Sequence, residues 1–302
     1  MARPAALRAP PPNGVRLQKA LADAGVAARR DCEQLIFDGR VYVNDKQIVT
    51  LPHFIDPKVD AVIVDGAPID VTGSAISTTE KARALIYVLI NKPKGVISTT
   101  DDDLGRRNVL SLLPPTLRNA ERLFPVGRLD GDSTGLMIIT NDGELAYRLT
   151  HPKFGITKEY RVTTSGLATD EQLKQLRSGM YLITPDADGN KNAKKASMET
   201  VRIVKRFVDR SRGDRTVLSV KLREGQNREI RRMLARVGLK VRELERVSIG
   251  PLRADDLALG QARLLGKKDV ERLRASTLGD SSSEKPGKRV SESLDAIGEE
   301  RD

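Results

Sequence analysis

The sequence has no tryptophan, only 3% aromatic residues, one cysteine and two histidines among its 302 positions. Each scarcity removes a kind of chemistry. A lone thiol, Cys32, cannot close an intramolecular disulfide, so the chain needs no oxidising compartment and a cytoplasmic setting is expected. His53 and His151 stand far apart with no cysteine beside either. Transition-metal sites and serine–histidine catalysis therefore lack their parts, and no metal ligands are expected. His151, directly before Pro152, is expected to pack a helix end rather than to titrate usefully. Few rings also argue against an aromatic stacking platform for single-stranded nucleic acid. The longest apolar run, ALIYVLI at 84–90, is far too short to cross a bilayer, so no membrane partner is expected. The start, MARPAALRAPPPNG, is Pro-rich and basic and lacks the continuous apolar core of a secretory leader. It reads as disordered, with organelle import the lesser expectation beside a cytoplasmic one.

What the chain has in excess is positive charge. Lys and Arg total 52 against 41 Asp and Glu, a net charge of +11 that favours a polyanionic partner. With 39% hydrophobic residues it can also bury real cores in one or two domains. The pattern divides the chain into a disordered start (1–14), a small domain (15–70), a polar linker (71–84), a larger domain (85–278) and a charged, Ser-rich tail (279–302) too poor in apolar residues to fold.

In the small domain Leu17, Leu21 and Ala24 share a helical face that Gly25 ends, and Cys32, Leu35 and Ile36 share a face of a second helix ending near Gly39. RVYVN and KQIV, joined at Asn44-Asp45, read as a hairpin, and AVIVDG as one more strand. From Ile86 onward, strand-like runs (IYVLINKPKG, GLMIITND, EYRVTTSG, TVLSVKLREG, KVRELERVSIG) outnumber helical ones (GELAYRLTHP, ATDEQLKQLRSG, NREIRRMLARVG) without regular alternation. That order predicts an α+β domain with a mixed, mostly antiparallel sheet flanked by helices, closed by a helix near Asp269–Ala275.

Arg16, Lys19, Arg29, Arg30, Arg40 and Lys46 crowd the small domain, and Arg29-Arg30 open its second helix, where the helix dipole disfavours cations. A solvated basic face is the plain explanation; a row of cations set against the phosphates of structured RNA is the functional one. The stretch RLQKALADAGVAARRDCEQLIFDGRVYVND resembles the alpha-L RNA-binding fold of a ribosomal small-subunit protein and of several rRNA-modifying enzymes. The resemblance implies that Arg16, Lys19, Arg29, Arg30 and Arg40 meet RNA.

In the larger domain, FPVGRLDGDSTGLMIIT (124–140) sets Asp130 between an arginine-bearing turn and an apolar run. The string from Asp130 to Thr134 fits the D-x-D-x-T pattern of aspartyl-phosphate phosphatases, yet PVGRL is not the buried parallel strand that such an aspartate should end. A calcium loop would need a glutamate at its twelfth place, where Asn141 stands. A turn that satisfies its own backbone is the bland alternative.

Three motifs favour a catalytic loop. GRLDGDSTGLMIITNDGEL, KEYRV (158–162) and EGQNREIRRML (224–234), in that order, resemble the signatures of the RsuA/RluB-type rRNA pseudouridine synthases. The resemblance spans roughly residues 15–275; Glu229 departs from it, since relatives often carry glutamine there, and TPDADGNKNAKKA is longer than the usual turn, its lysines expected to add an RNA contact.

The resemblance implies isomerisation of uridine to pseudouridine in ribosomal RNA, with Asp130 as the catalytic carboxylate, Arg231 paired to it and Tyr160 against an extruded uracil. Arg128 is implied to fill the space the base leaves and Leu129 to line the pocket. No cofactor is implied, because the reaction has no redox change and no energy input. The large-subunit RNA is the expected substrate and the small-subunit RNA the runner-up. The partner is ribosomal RNA or a pre-ribosomal particle, and a monomer is expected. A non-catalytic RNA-binding or ribosome-assembly protein is the competing reading.

Overall fold

The computed structural model describes residues 14–278 apart from 28, 73–83, 101, 103, 121, 186–190, 212 and 254–255. The expected disordered tail and almost all of the start and the linker lie outside them. The chain divides into two compact units, Met1–Ala84 and Leu85–Asp302.

The first unit begins with β1 (Val15–Arg16), α1 (Leu17–Asp23) and α2 (Arg29–Phe37), followed by β2 (Val41–Val43), β3 (Lys46–Ile48), β4 (Phe54–Ile55), β5 (Val62–Val64) and β6 (Ala67–Ile69). Asn44 and Asp45 both have positive φ (47° and 61°), the backbone a two-residue hairpin needs to follow the strand twist. Asp65 and Gly66 (φ 52° and 80°) repeat the device, so AVIVDG is the first arm of a second hairpin rather than a lone strand. The sheet order is β3-β2-β5-β6, and β1 pairs with β4. Leu17, Ala20, Leu21, Cys32 and Ile36 are buried against Val41, Val43 and Val62. Ala24, expected on the buried face, is exposed because α1 ends one residue earlier and Ala24 caps it.

The second unit is built on a nine-stranded sheet whose main path runs β13-β14-β10-β15-β9-β7-β17, with β16 paired to β15 and β8 to β9. Its strands are β7 (Tyr87–Lys92), β8 (Phe124–Pro125), β9 (Thr134–Thr140), β10 (Lys158–Ser165), β13 (Thr200–Phe207), β14 (Arg215–Leu222), β15 (Val241–Ile249), β16 (Leu252–Arg253) and β17 (Ala262–Leu264). Its helices are α3 (Pro115–Ala120), α4 (Gly143–Thr150), α5 (Asp170–Ser178), α6 (Glu229–Arg236) and α7 (Lys267–Ser276). The fold is α+β. The strand pairs are antiparallel, with β15 and β9 the parallel exception among the described residues.

Alternation sorts the core into two layers. Val88, Ile90, Met137 and Ile139 face α5 and α6, whereas Tyr87, Leu89, Leu136 and Ile138 face α4 and α7. The parallel pair requires a glycine. Gly135 has φ 107°, and a Cβ there would lie 2.6 Å from the Arg246 backbone nitrogen and closer still to its carbonyl oxygen. TPDADGNKNAKKA, expected as a long loop, begins and ends in a separate hairpin of β11 (Met180–Pro185) and β12 (Lys191–Ala196). Its Lys194 pairs with Glu224 at 3.0 Å.

Candidate active site

Asp130 lies in the loop that leads into β9, closed by the Ser133 N–H donating to the Asp130 carbonyl at 3.0 Å. Both of its neighbours are held by the segment that follows β7. Ser98 Oγ donates to the Leu129 carbonyl at 2.7 Å and accepts the Leu129 N–H at 3.0 Å, and the Gly95 N–H donates to the Gly131 carbonyl at 2.7 Å. Lys92, at 0% exposure, ties off the same turn by donating to the carbonyls of Pro93 (3.0 Å) and Val96 (2.6 Å). Burial lowers its ammonium to about 8, against the opposing attraction of Asp132 and Asp130.

The other wall is α6. Arg228, at its N-cap, has φ 47°, a left-handed conformation that a bulky side chain adopts only when its surroundings impose it. Its guanidinium reaches Asp130 Oδ2 at 3.1 Å and Asp132 Oδ2 at 3.2 Å. Arg231 ion-pairs with Asp132 Oδ2 at 3.2 Å and donates to the Asp132 carbonyl and Ser133 Oγ at 3.3 Å each. The sequence reading set Arg231 on Asp130; here Arg228 takes that carboxylate, and Arg231 holds the turn behind it. No spacing in NREIRRM marks Arg228, whose reach to Asp130 comes from its left-handed N-cap rather than from a shared helix face. Burial raises the Asp132 carboxyl, but the Arg228 hydrogen bond and the charges of Arg231 and Arg228 outweigh it and hold it below the usual value.

A second layer of buried charge went unread in the sequence. Glu229, 4% exposed, accepts the Gln226 N–H at 2.8 Å and so fixes the turn that enters α6; burial raises its carboxyl despite that bond. Burial also lowers Lys158 to about 8, with Arg246 adding to the effect and Glu229 opposing it. Arg246 is 3% exposed and donates Nε to the Leu136 carbonyl at 2.7 Å. Lysines and glutamates at strand and helix ends usually look like solvent-facing residues, so neither composition nor spacing marked these as buried.

Tyr160 is 8% exposed on β10, between Val220 and Arg246, in the same core cluster as Leu129, Ile230 and Met233. Leu129 is buried and Arg128 exposed. In the first unit Arg16, Lys19, Arg29, Arg30 and Arg40 are all exposed. Two of them are not free cations: Arg40 grips Asp65 through two bonds of 2.7 and 2.6 Å, and Lys19 pairs with Asp23 at 2.5 Å. Among the described residues no group of three or more His, Cys, Asp or Glu converges as a metal site.

The loop thus offers a carboxylate with 31% side-chain exposure, fixed by backbone bonds on both sides and by a guanidinium in front. Such a group can act on a substrate that reaches its exposed edge. Residues 86–236 match the family model described as RNA pseudouridylate synthase, and residues 15–55 match that of the S4 domain. An uncharacterized RNA pseudouridine synthase of Mycobacterium tuberculosis is 38% identical over 262 residues, covering 87% of this chain and 94% of that protein. Ribosomal large subunit pseudouridine synthase B of Bacillus subtilis is 36% identical over 261 residues, covering 86% and 96%. A crystal structure of pseudouridylate synthase shares the fold, with a TM-score of 0.54 and 23% identity over 86% of this chain and 99% of that one. The chain belongs to the RNA pseudouridylate synthase family and carries an S4 domain ahead of its catalytic unit.

Proposed function

We propose that this protein isomerises a uridine of large-subunit ribosomal RNA to pseudouridine, with Asp130 as its catalytic carboxylate. The observation that carries the reading is the clamped Asp130, ion-paired to Arg228 at 3.1 Å inside the family's matched segment. The large-subunit assignment rests on relatives such as the Bacillus subtilis protein, whose name specifies that subunit.

In this reading the target nucleotide leaves its stack and enters the cleft, at an unstacking cost of about a few kcal/mol. The bond from the sugar to the ring nitrogen breaks, the uracil turns while bound, and a new bond forms to ring carbon five, which releases its hydrogen. Asp130 supplies its carboxylate beside the sugar. Guanidinium partners hold it in place and balance its charge. Arg228 does so by direct contact and Arg231 through Asp132 and Ser133. Tyr160 offers its ring to the uracil, Leu129 lines the pocket, and the exposed Arg128 takes the space left in the RNA. The S4 domain's exposed cations, Arg16, Lys19, Arg29 and Arg30, hold the RNA backbone. The protein works as a cytoplasmic monomer without a cofactor.

Tritium release from rRNA labelled at ring carbon five of uridine tests this directly. Release by the intact protein from large-subunit RNA, abolished in Asp130→Asn and insensitive to a chelator, is the expected result. Release from small-subunit RNA instead would move the substrate, and none from either RNA would leave a binding protein.

A further inference from the structure

The scarcity of aromatic residues argues against a stacking platform across the molecule as a whole, but the structure concentrates the few it has. Tyr147 and His151, four residues apart at the end of α4, have ring centroids 5.0 Å apart. Phe154 completes the group at 5.7 Å from Tyr147 and 6.3 Å from His151. Lys153 places its ammonium 5.3 Å from the Tyr147 ring centre and 4.7 Å from that of Phe154. Arg148 lies 5.9 Å from the Phe154 ring centre while also bonding to Glu144.

We propose that Tyr147, His151, Lys153 and Phe154 form a stacking site for an unpaired nucleotide of the RNA substrate next to the target uridine. The inference rests on the reading of this protein as an RNA pseudouridine synthase and names a contact for its substrate. Position supports it. β9 starts at the Asp130 loop and runs away from it; α4 packs back along the strand through Leu145 and Leu149 on Leu136 and Ile138. The helix thereby returns toward the loop, where Thr150 Cγ2 lies 3.4 Å from the place a Cβ on Gly127 would take. Gly127 immediately precedes Arg128.

The chemistry fits a nucleotide. Phe154 is partly buried against the core, whereas Tyr147 is 47% exposed and its ring lies beside the Lys153 ammonium. An exposed ring next to an ammonium can take the π-face of a base and the phosphate attached to it. His151 Nδ1 accepts the Lys153 N–H at 3.2 Å, which ties its ring to the turn that carries the ammonium. Paired RNA would not use such a surface, because its bases already stack on each other.

Because the chain has no tryptophan, Tyr147→Trp in the full-length protein reports on this surface alone. Deproteinised large-subunit rRNA should quench its emission, and a fully paired RNA duplex should not. Tyr147→Ala should raise KM for rRNA in the tritium-release assay about tenfold, with kcat little changed, as removal of one stacked base implies. Should that variant fail to fold, Tyr147→Leu keeps the apolar stem and tests the same stacking. Unchanged emission while filter retention shows the rRNA bound, equal quenching by the duplex, or an unchanged KM in either substitution would each overturn the proposal. Quenching without tritium release by the intact protein would count against the reaction and leave the stacking site standing.

Discussion

Ser98 Oγ accepts the Leu129 N–H at 3.0 Å and donates to the Leu129 carbonyl at 2.7 Å, so one hydroxyl satisfies both backbone groups of the residue before Asp130. Leu129 is 7% exposed, and water cannot readily replace those bonds. Ser98→Ala should cost about 1–3 kcal/mol of stability. It should also lower kcat by roughly 10- to 100-fold through a displaced carboxylate, with a smaller effect on KM. Ser98→Thr keeps the hydroxyl and should restore most of the rate. Single-turnover tritium release decides the matter, and a defect confined to KM would show that the clamp serves binding instead.

The two site arginines should separate by substitution. Arg231→Lys shortens the side chain whose Nη2 reaches the Asp132 carboxylate, the Asp132 carbonyl and Ser133 Oγ, so turnover should fall much more than rRNA affinity. Arg228→Ala frees Asp130 and should also reduce kcat, with Asp132 keeping its Arg231 partner. Were both variants to bind rRNA more weakly at unchanged kcat, the pair would serve the RNA phosphates.

What was legible in the sequence follows from what repeats. The strands at 86–95, 135–142, 159–166 and 216–225 declare themselves through apolar runs or alternation, and Asn44-Asp45 declares a turn through its backbone preference. TVRIVKRF escaped notice because β13 is an edge strand with exposed charges at Arg202, Lys205 and Arg206. The β11–β12 hairpin was read as loop because polar residues fill its second arm. Asp130, Tyr160 and Arg231 stood out only as motif members. That Arg228 sits on Asp130 depends on a left-handed N-cap, and that Lys92 is buried depends on how the 93–98 turn wraps the Asp130 loop; neither is a property of local spacing.

Gly135 allows β9 to run parallel against β15. Any side chain would enter the Arg246 backbone, and φ 107° is strained for every other residue. Gly135→Ala should destabilise the protein by roughly 3–6 kcal/mol, combining backbone strain and overpacking. The midpoint of urea unfolding measures this, and a value matching the native chain would show that the parallel pair can slide apart freely.

Lys92 should make stability depend on pH in a distinctive window. Its folded value of about 8 lies below the ordinary 10.5. Below the lower value both states carry the proton and the burial penalty is complete. Between the two values the unfolded chain binds a proton that the folded chain has released, so stability rises with pH. Relative to Lys92→Met, the native chain should gain on the order of 3 kcal/mol between about pH 7 and about pH 10.5. Urea unfolding of both proteins across that range reads the difference, and a flat difference would mean that the ammonium keeps its water.

The exposed cations of the S4 domain should not contribute equally to RNA binding. Arg29 and Arg30 stand at the start of α2, where the helix dipole disfavours them, and a phosphate would supply the missing counter-charge. Arg40 already has a carboxylate partner in Asp65. Replacing Arg29 and Arg30 by alanine should weaken rRNA binding and flatten its dependence on salt by about 0.7–0.9 in the log–log slope for each phosphate that is no longer neutralised. Arg40→Ala should change both quantities less, because breaking its pair with Asp65 already offsets part of any attraction it has for RNA. Filter-binding titrations over a salt series measure affinity and slope together. If Arg40 proved to carry the larger share of the slope, its pair with Asp65 would have to open on RNA, and the face of the domain that meets the backbone would centre on the β2–β5 strands rather than on the start of α2.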